Sequence, residues 1–194
     1  MSIYLNCLSI WNYHPSERSE DEMTQETLAR GIPAELLFEA IKRNGFTDVV
    51  AVPDTHVRSL ITLLTTTNDI RFIQTATEDE AITLAAGLIV GGKKPLIQIQ
   101  HAGLYACVNH LRGIGIDGRF PLVFMIGLLG RDPRKSPSEN FGSMVKYAEP
   151  LLDALEIPRY LLDSADDIGL FDEACEAAVE RNGPVALLIG EATL

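Results

Sequence analysis

The sequence is poor in cysteine and in basic residues, and each shortage argues against a class of protein. Its 194 residues contain three cysteines, and the wide spacing of Cys7, Cys107 and Cys175 matches no metal-ligand motif. We therefore expect free thiols in a reducing cytoplasm rather than a disulfide framework. Lysine and arginine total 16 against 27 aspartates and glutamates, which gives a formal net charge of −11. This acidity argues against nucleic acid or an anionic membrane surface as a partner.

Long apolar runs are also missing. No stretch reaches the roughly 18 apolar residues that a membrane-spanning helix needs. The mildly apolar residues 3–11 lack the basic flank and the small-residue cleavage site of a signal peptide, so we expect none. Hydrophobic residues nevertheless make up 46% of the chain, which is enough to build a buried core.

Composition and periodicity divide the chain into two parts. Residues 1–27 include the polar, acidic stretch 16–26, and we interpret them as an N-terminal extension or arm. Residues 28–194 are interpreted as a single α/β domain, because strand patterns alternate with helical ones. The predicted strands are 49–52, 70–75, 96–100, 122–126, 159–162 and 185–189. This alternation predicts a doubly wound, six-stranded, mostly parallel sheet with helices on both faces.

The segment after the second predicted strand has the most unusual pattern. Residues 81–90 are apolar on nearly every side, which is typical of a buried helix. Three acids, Glu78, Asp79 and Glu80, occupy its first turn, where free N–H groups and the helix dipole favour carboxylates. They follow a strand end, which is where ligands bind in open parallel sheets. Taken alone, the pattern also fits ordinary first-turn charges.

Glu78 with Ala81, Ala85 and Gly87, followed by Gly-Gly-Lys-Lys-Pro at 91–95, resembles the pyrimidine-binding (PYR) domain of thiamine diphosphate (ThDP) enzymes. The resemblance covers most of the predicted α/β domain and its six-strand layout. In that family the glutamate matching Glu78 hydrogen-bonds the aminopyrimidine ring of the cofactor and exchanges a proton with it. The resemblance therefore implies that Glu78 both binds ThDP and acts in catalysis.

Within that family the greatest likeness is to the sulfopyruvate and phosphonopyruvate decarboxylases. Residues 52–55 (Val-Pro-Asp-Thr) resemble their turn after the first strand. Gln100, Gly103 and Asn109 resemble positions of their Gln-Asn-Ser-Gly-Leu-Gly-Asn segment. The resemblance implies the α subunit of a cytoplasmic decarboxylase whose substrate is a small 2-oxo acid of the sulfopyruvate or phosphonopyruvate type.

The resemblance also implies roles for individual residues around the cofactor. Pro53, Gln100 and Gly103 are expected to join Glu78 in binding ThDP. His101 is the second candidate catalyst, because it follows a strand end and histidine titrates near neutral pH.

Four further residues are candidate substrate contacts: Asp54, His56, Asn109 and Tyr105. His56 also fits a loop histidine bonded to the backbone, and Tyr105 fits either a wall of the cofactor site or a packing residue. Asn109 fits either pocket lining or a structural amide. The sequence leaves these alternatives open.

The sequence departs from the decarboxylases at three places, one of which is Tyr-Ala at 105–106 where they have Gly-Asn. It has His-Ala at 101–102 where they have Asn-Ser, and Leu-Leu-Gly at 128–130 where they have His-Arg-Gly. An arginine after the fourth strand would suit a sulfonate or phosphonate group. Arg131, Arg134 and Lys135 lie just beyond and are candidates to replace it.

One half of a ThDP site is missing from the chain. The family binds Mg²⁺ and the diphosphate through a Gly-Asp-Gly segment and a later asparagine, and Gly-Ile-Asp-Gly at 115–118 is better interpreted as a turn. We assign no metal ligand here. The resemblance implies a separate β subunit that anchors Mg²⁺ and the diphosphate, in an α2β2 or larger assembly.

Two other functions remain open at this stage. The chain also fits a subunit of a ThDP-dependent carboligase, which passes the bound fragment to an acceptor. It also fits a non-catalytic α/β module that binds a nucleotide or regulates a partner. The Gly-Gly-Lys-Lys segment at 91–94 does not favour a phosphate loop, because it follows a helix rather than opening one.

Overall fold

The computed structural model describes residues 31–194. The predicted arm, residues 1–27, and Cys7 lie outside the described residues, so the boundary between arm and domain stays a prediction. In the part of the chain that is described, no helix has both the length and the hydrophobicity to cross a bilayer.

Six parallel strands form one sheet, which confirms the predicted number. They are β1 (Asp48–Ala51), β2 (Arg71–Gln74), β3 (Pro95–Gln100), β4 (Val123–Gly127), β5 (Arg159–Leu162) and β6 (Val185–Ile189). Their order is β2-β1-β3-β4-β6-β5, and every neighbouring pair is parallel. The central strands are buried almost throughout, whereas β2 at the edge is partly exposed. Burial on both faces explains why the central strands are nearly continuous apolar runs.

Helices cover both faces of this sheet, as the doubly wound topology requires. One face carries α1 (Ala34–Arg43), α2 (Arg58–Thr66) and α8 (Gly169–Arg181). The other carries α3 (Glu78–Val90), α4 (His101–Leu104), α5 (Val108–His110), α6 (Ser143–Lys146) and α7 (Ala148–Ala154). A hydrophobic cluster lies under each layer, and the predicted α/β fold is confirmed.

The connection between β3 and β4 is not one regular helix. The structure divides it into α4, α5 and the π-helical segment Leu111–Asp117. The wider hydrogen bond from Gly118 N–H to the Gly113 carbonyl, 3.1 Å, marks the π-helical part. Gly113 and Gly115 have low helix propensity, which explains why a regular helix does not continue there.

The strand order creates a switch point between β1 and β3. From β1 the chain goes to β2 on one side and then returns to β3 on the other. Helices on opposite faces therefore leave a crevice outside the carboxyl ends of β1 and β3, which is the usual ligand site of such sheets. Residues 52–56 follow β1 and residues 101–104 follow β3, so the fold brings most of the candidate site residues to this crevice.

Candidate active site

Glu78 is the first residue of α3 and is only partly buried. Its carboxyl group lies against Gly103 of α4, so closely that a Cβ atom on Gly103 would overlap with Cγ, Cδ and Oε1 of Glu78. No hydrogen bond or ion pair joins Glu78 to any other residue of the 31–194 region. The Glu78 carboxylate is therefore held against Gly103, is partly exposed to solvent, and has no hydrogen-bond or ion-pair partner within residues 31–194.

The other two acids of this turn are engaged locally. Glu80 accepts a hydrogen bond from the Ala76 N–H at 2.8 Å. A hydrogen bond from the Thr77 side chain lowers the pKa of Asp79, whose carboxylate also lies 4.0 Å from His110 Nδ1. These contacts are those of ordinary first-turn carboxylates, and they separate Glu78 from its two neighbours.

Helix α3 gives Glu78 a rigid support. Its buried side chains Ala81, Ile82 and Ala85 pack in the cluster that includes Val50 and Ile97 of β1 and β3. Small residues allow the helix to approach the sheet closely. The position of Glu78 is therefore set by core packing as well as by Gly103.

Asp54 is the centre of a second polar group at the same crevice. Its Oδ1 accepts hydrogen bonds from the His56 N–H at 3.0 Å and from Gln100 Nε2 at 2.8 Å. Only 4% of the residue is exposed, and a Cβ atom on Gly127 of β4 would overlap with its Oδ2. Asp54 therefore fixes the side chain of Gln100 across the switch point, next to the exposed Pro53.

Both candidate histidines lie in this second group and both are buried. The pKa of His56 is lowered, mainly by burial, and its Nε2–H donates to the Ile189 carbonyl at 2.9 Å. The pKa of His101 is lowered by burial and by His56, although Asp54 raises it. Both rings are therefore neutral near pH 7. His101 has no exposed surface, and the nearby Gly127 backbone opposes the effect of burial by raising its pKa.

Tyr105 and Asn109 lie further along the same connection and make other contacts. The Tyr105 hydroxyl donates to the Met144 carbonyl at 2.7 Å, which joins the end of α4 to α6. Asn109 is exposed, and its side-chain oxygen accepts from Arg112 Nη2 at 3.2 Å. The structure therefore brings Glu78, Gly103, Asp54, Gln100 and the two histidines to one edge, whereas Asn109 hydrogen-bonds away from them.

Sequence reasoning missed two neighbours of the site. Gly127 ends β4 and leaves the space that Asp54 fills, and the only sequence signal is a glycine closing an apolar strand. Cys107 is buried near Glu78, and burial, with smaller effects of Glu78 and Asp79, raises its pKa to about 12. Cys107 is therefore a thiol rather than a reactive thiolate at neutral pH.

The crevice fits the organic part of a cofactor better than a metal. Glu78 offers a hydrogen-bond acceptor with one side exposed, and Gly103 allows close approach to the backbone of α4. In residues 31–194 no cluster of three or more His, Cys, Asp or Glu side chains is arranged to hold a metal ion. These residues fit a nitrogen heterocycle with exchangeable protons.

A fold of this topology, with a carboxylate free of protein hydrogen bonds at the crevice of its switch point, defines a class of protein, and comparison with known sequences identifies it. Residues 33–136 match the family described as "Thiamine pyrophosphate enzyme, N-terminal TPP binding domain". The match covers more than half of the chain, and the chain belongs to this family. Thiamine pyrophosphate is another name for ThDP, so the predicted resemblance to PYR domains is confirmed.

Individual relatives show the similarity of the chain to particular decarboxylases. The chain is 26% identical over 157 residues to sulfopyruvate decarboxylase subunit alpha of Methanococcus maripaludis, covering 80% of this chain and 93% of the relative. Against the subunit alpha from Methanocaldococcus jannaschii it is 26% identical over 153 residues, covering 78% and 89%. Phosphonopyruvate decarboxylase of Streptomyces viridochromogenes is 27% identical over 147 residues, but the chain spans only 37% of its length.

A solved structure supports the fold. Benzoylformate decarboxylase from Polynucleobacter necessarius superposes with a TM-score of 0.64 over 84% of this chain, at 19% identity. The chain covers 31% of that protein, which is the share expected if the fold corresponds to one domain of a larger enzyme.

Proposed function

We propose that the chain is the pyrimidine-binding α subunit of a ThDP-dependent decarboxylase that acts on a small 2-oxo acid. The family match supports the cofactor, and two relatives that it covers almost completely are named as alpha subunits. The single observation that carries the proposal is the half-buried Glu78 carboxylate, seated on Gly103 and unpaired within the described chain.

The proposed work of Glu78 is to hold and exchange a proton at the cofactor's aminopyrimidine ring. When bound, ThDP supplies a carbanion that adds to the carbonyl of a 2-oxo acid and accepts the electrons left as CO2 departs. A carboxylate exchanges protons with a ring nitrogen best when it is held in position and partly removed from water. The contact with Gly103 and the packing of α3 hold the Glu78 carboxylate in position, and its partial burial removes it in part from water.

The second polar group is proposed to shape the crevice. Asp54 orients Gln100, which with Pro53 and Gly103 is proposed to line the cofactor, and His56 anchors the loop through the Ile189 carbonyl. His101 is neutral and able to accept a proton. A proton transfer from substrate to His101 requires a movement that exposes the ring, because the ring has no accessible surface.

The other half of the site is proposed to lie on a separate β subunit. That subunit would hold Mg²⁺ and the diphosphate, and the assembly would be α2β2 or larger. The proposal places the enzyme in the cytoplasm, with no membrane or nucleic-acid partner. The names of the relatives support a second subunit, since an alpha subunit implies at least one other.

The test is cofactor binding by the isolated chain and by its natural complex. We expect a tagged chain, purified from its native cells, to bring down a partner of comparable size. The complex should bind ThDP with Mg²⁺ and release CO2 from a 2-oxo acid, whereas the isolated chain should bind ThDP at least about 100-fold more weakly. Tight binding by the chain alone would contradict the split site. An acyl-transfer product without an aldehyde product would favour the carboligase.

A further inference from the structure

The carboxyl end of the sheet is rich in acids and poor in bases. Counting four residues beyond each of the six strand ends gives five carboxylate residues and one Lys or Arg, which is Arg131. The five acids are Asp54, Glu78, Asp163, Asp166 and Glu191. Asp54 and Glu78 are the two at the crevice, because β5 lies at the opposite edge of the sheet from β2, and an anion bound there meets their like charge unless a base is available.

Arg131 is committed to an internal ion pair. Its Nη2 donates to Asp163 Oδ2 at 3.0 Å, its Nη1 donates to Oδ1, and its side chain is only 4% exposed. Gly190 makes this contact possible, since a Cβ atom there would overlap with both Asp163 and Arg131. Arg131 joins the ends of β4 and β5 and presents no accessible charge to a ligand.

The next two bases of the same loop are paired as well. Arg134 donates from Nε to Asp132 Oδ1 and from Nη2 to Oδ2, both at 2.9 Å. Lys135 Nζ lies 3.9 Å from Asp132 Oδ2. Hydrogen bonds from Arg134 lower the pKa of Asp132 to about 2, so the pair stays charged at any physiological pH. The three bases that follow residues 128–130 are thus paired with Asp163 and Asp132.

This loop and α6 also expose large apolar side chains beside α4. These are Leu129, Phe141, Met144 and Tyr147. The Tyr105 hydroxyl ties Met144 to the end of α4, the helix whose Gly103 supports Glu78. Lys146 is the exposed base of this stretch, and its Nζ lies 5.7 Å from the centre of the Tyr147 ring.

We propose that the substrate of this site is a 2-oxo acid with one negative charge and an apolar side chain, not one with a second strongly acidic group. This inference rests on the proposed decarboxylase function. A sulfonate or phosphonate at the crevice would meet the carboxylates of Glu78 and Asp54, while Arg131 is held by Asp163, and juxtaposed like charges cost affinity. An apolar side chain would instead gain by burial against Leu129 and its neighbours.

The test uses the complex purified from native cells and saturated with ThDP and Mg²⁺. It compares kcat/KM for pyruvate, 2-oxobutyrate and 2-oxoisovalerate with kcat/KM for sulfopyruvate and phosphonopyruvate. We expect each singly charged acid to exceed the doubly acidic ones by at least about tenfold. Preference for sulfopyruvate or phosphonopyruvate would overturn this inference alone. Release of CO2 from none of the five would overturn the proposed function and the inference with it.

A pair of variants tests where the discrimination arises. Leu129→Arg adds an unpaired cation to the exposed apolar surface, and we expect it to raise kcat/KM for phosphonopyruvate relative to 2-oxobutyrate by about tenfold. Leu129→Gln is the matched control, because it removes the apolar group without adding charge, and it should leave that ratio within about threefold. An unchanged ratio in the arginine variant would overturn the inference that the substrate side chain packs against Leu129.

Discussion

Two carboxylates at the crevice each lie against a glycine, but they differ in burial and in hydrogen bonding. Glu78 sits on Gly103 and Asp54 sits on Gly127, and in each case the glycine leaves the space that the carboxyl group fills. Asp54 is almost fully buried and accepts two hydrogen bonds, whereas Glu78 is half-buried and accepts none within residues 31–194. Asp54 therefore stabilises the fold, whereas Glu78 is available to bind a ligand.

The difference follows from the contacts that replace the water molecules each carboxylate loses on folding. Burying a charged group is costly unless hydrogen bonds compensate it. Asp54 receives that compensation from His56 and Gln100, so its removal should affect folding. Glu78 keeps part of its hydration through its exposed side, so its removal should affect function with little effect on stability.

The largest effect on function outside Glu78 itself is expected from Gly103→Ala. The added Cβ would overlap with the Glu78 carboxyl group, which must move. We expect kcat/KM of the complex to fall by about 100-fold, since a misplacement of about 1 Å can have that effect. The measurement is steady-state decarboxylation. Gly87→Ala, on the exposed side of α3 with no atom near the new Cβ, should leave activity intact. Equal activities would show that Gly103 does not position Glu78.

Asp54→Ala, in contrast, should lower the stability of the folded chain. It removes two hydrogen bonds to a buried carboxylate, and we expect the free energy of unfolding to fall by about 2–4 kcal/mol. Urea denaturation monitors the change. Asp69→Ala removes a solvent-exposed ion pair with Lys42, which solvent screens, and should leave the free energy of unfolding nearly unchanged. A similar small loss in both variants would contradict the structural role of Asp54.

A pH effect of smaller size is expected from the histidines beside Asp54. Burial holds the folded pKa of His56 and of His101 below the usual value of about 6.5. Their contribution is fully present above that pH, because both states are then neutral. Below it the unfolded chain binds protons that the folded chain does not, so stability falls by up to about 1.4 kcal/mol per pH unit for each histidine.

The check is the urea midpoint measured from about pH 8 down to pH 5. His56→Gln should flatten the acid side of this profile by removing one of the two titrations. An unfolding free energy that does not change across this range would show that the two rings are not held neutral in the folded protein.

The sequence predicts one side of the comparison well and the other poorly. Six apolar runs locate the strands, and three acids opening an apolar helix locate the start of α3, because both patterns are local along the chain, whereas the family resemblance is what distinguishes Glu78 from the other two acids. The pairing of Asp54 with Gly127 joins β1 to β4 across β3, and no local pattern encodes such a contact. The commitment of Arg131 to Asp163 is likewise a tertiary fact.

The division of the connection after β3 was also beyond sequence reasoning. Apolar residues recur there at helical spacing, yet the glycines at 113 and 115 allow the wider π-helical bonds that the structure shows. The burial of His101 is a further example, since a polar residue after a strand end is usually expected to face the crevice.

Steady-state turnover of Glu78→Gln in the natural complex tests the central claim most directly, with Glu80→Gln as the matched control from the same helical turn. Glutamine keeps the size of Glu78 but cannot exchange a proton at the cofactor ring. The account predicts that kcat falls by at least about 100-fold for Glu78→Gln and by less than about twofold for Glu80→Gln, with similar unfolding free energies. Near-normal turnover of Glu78→Gln would contradict it.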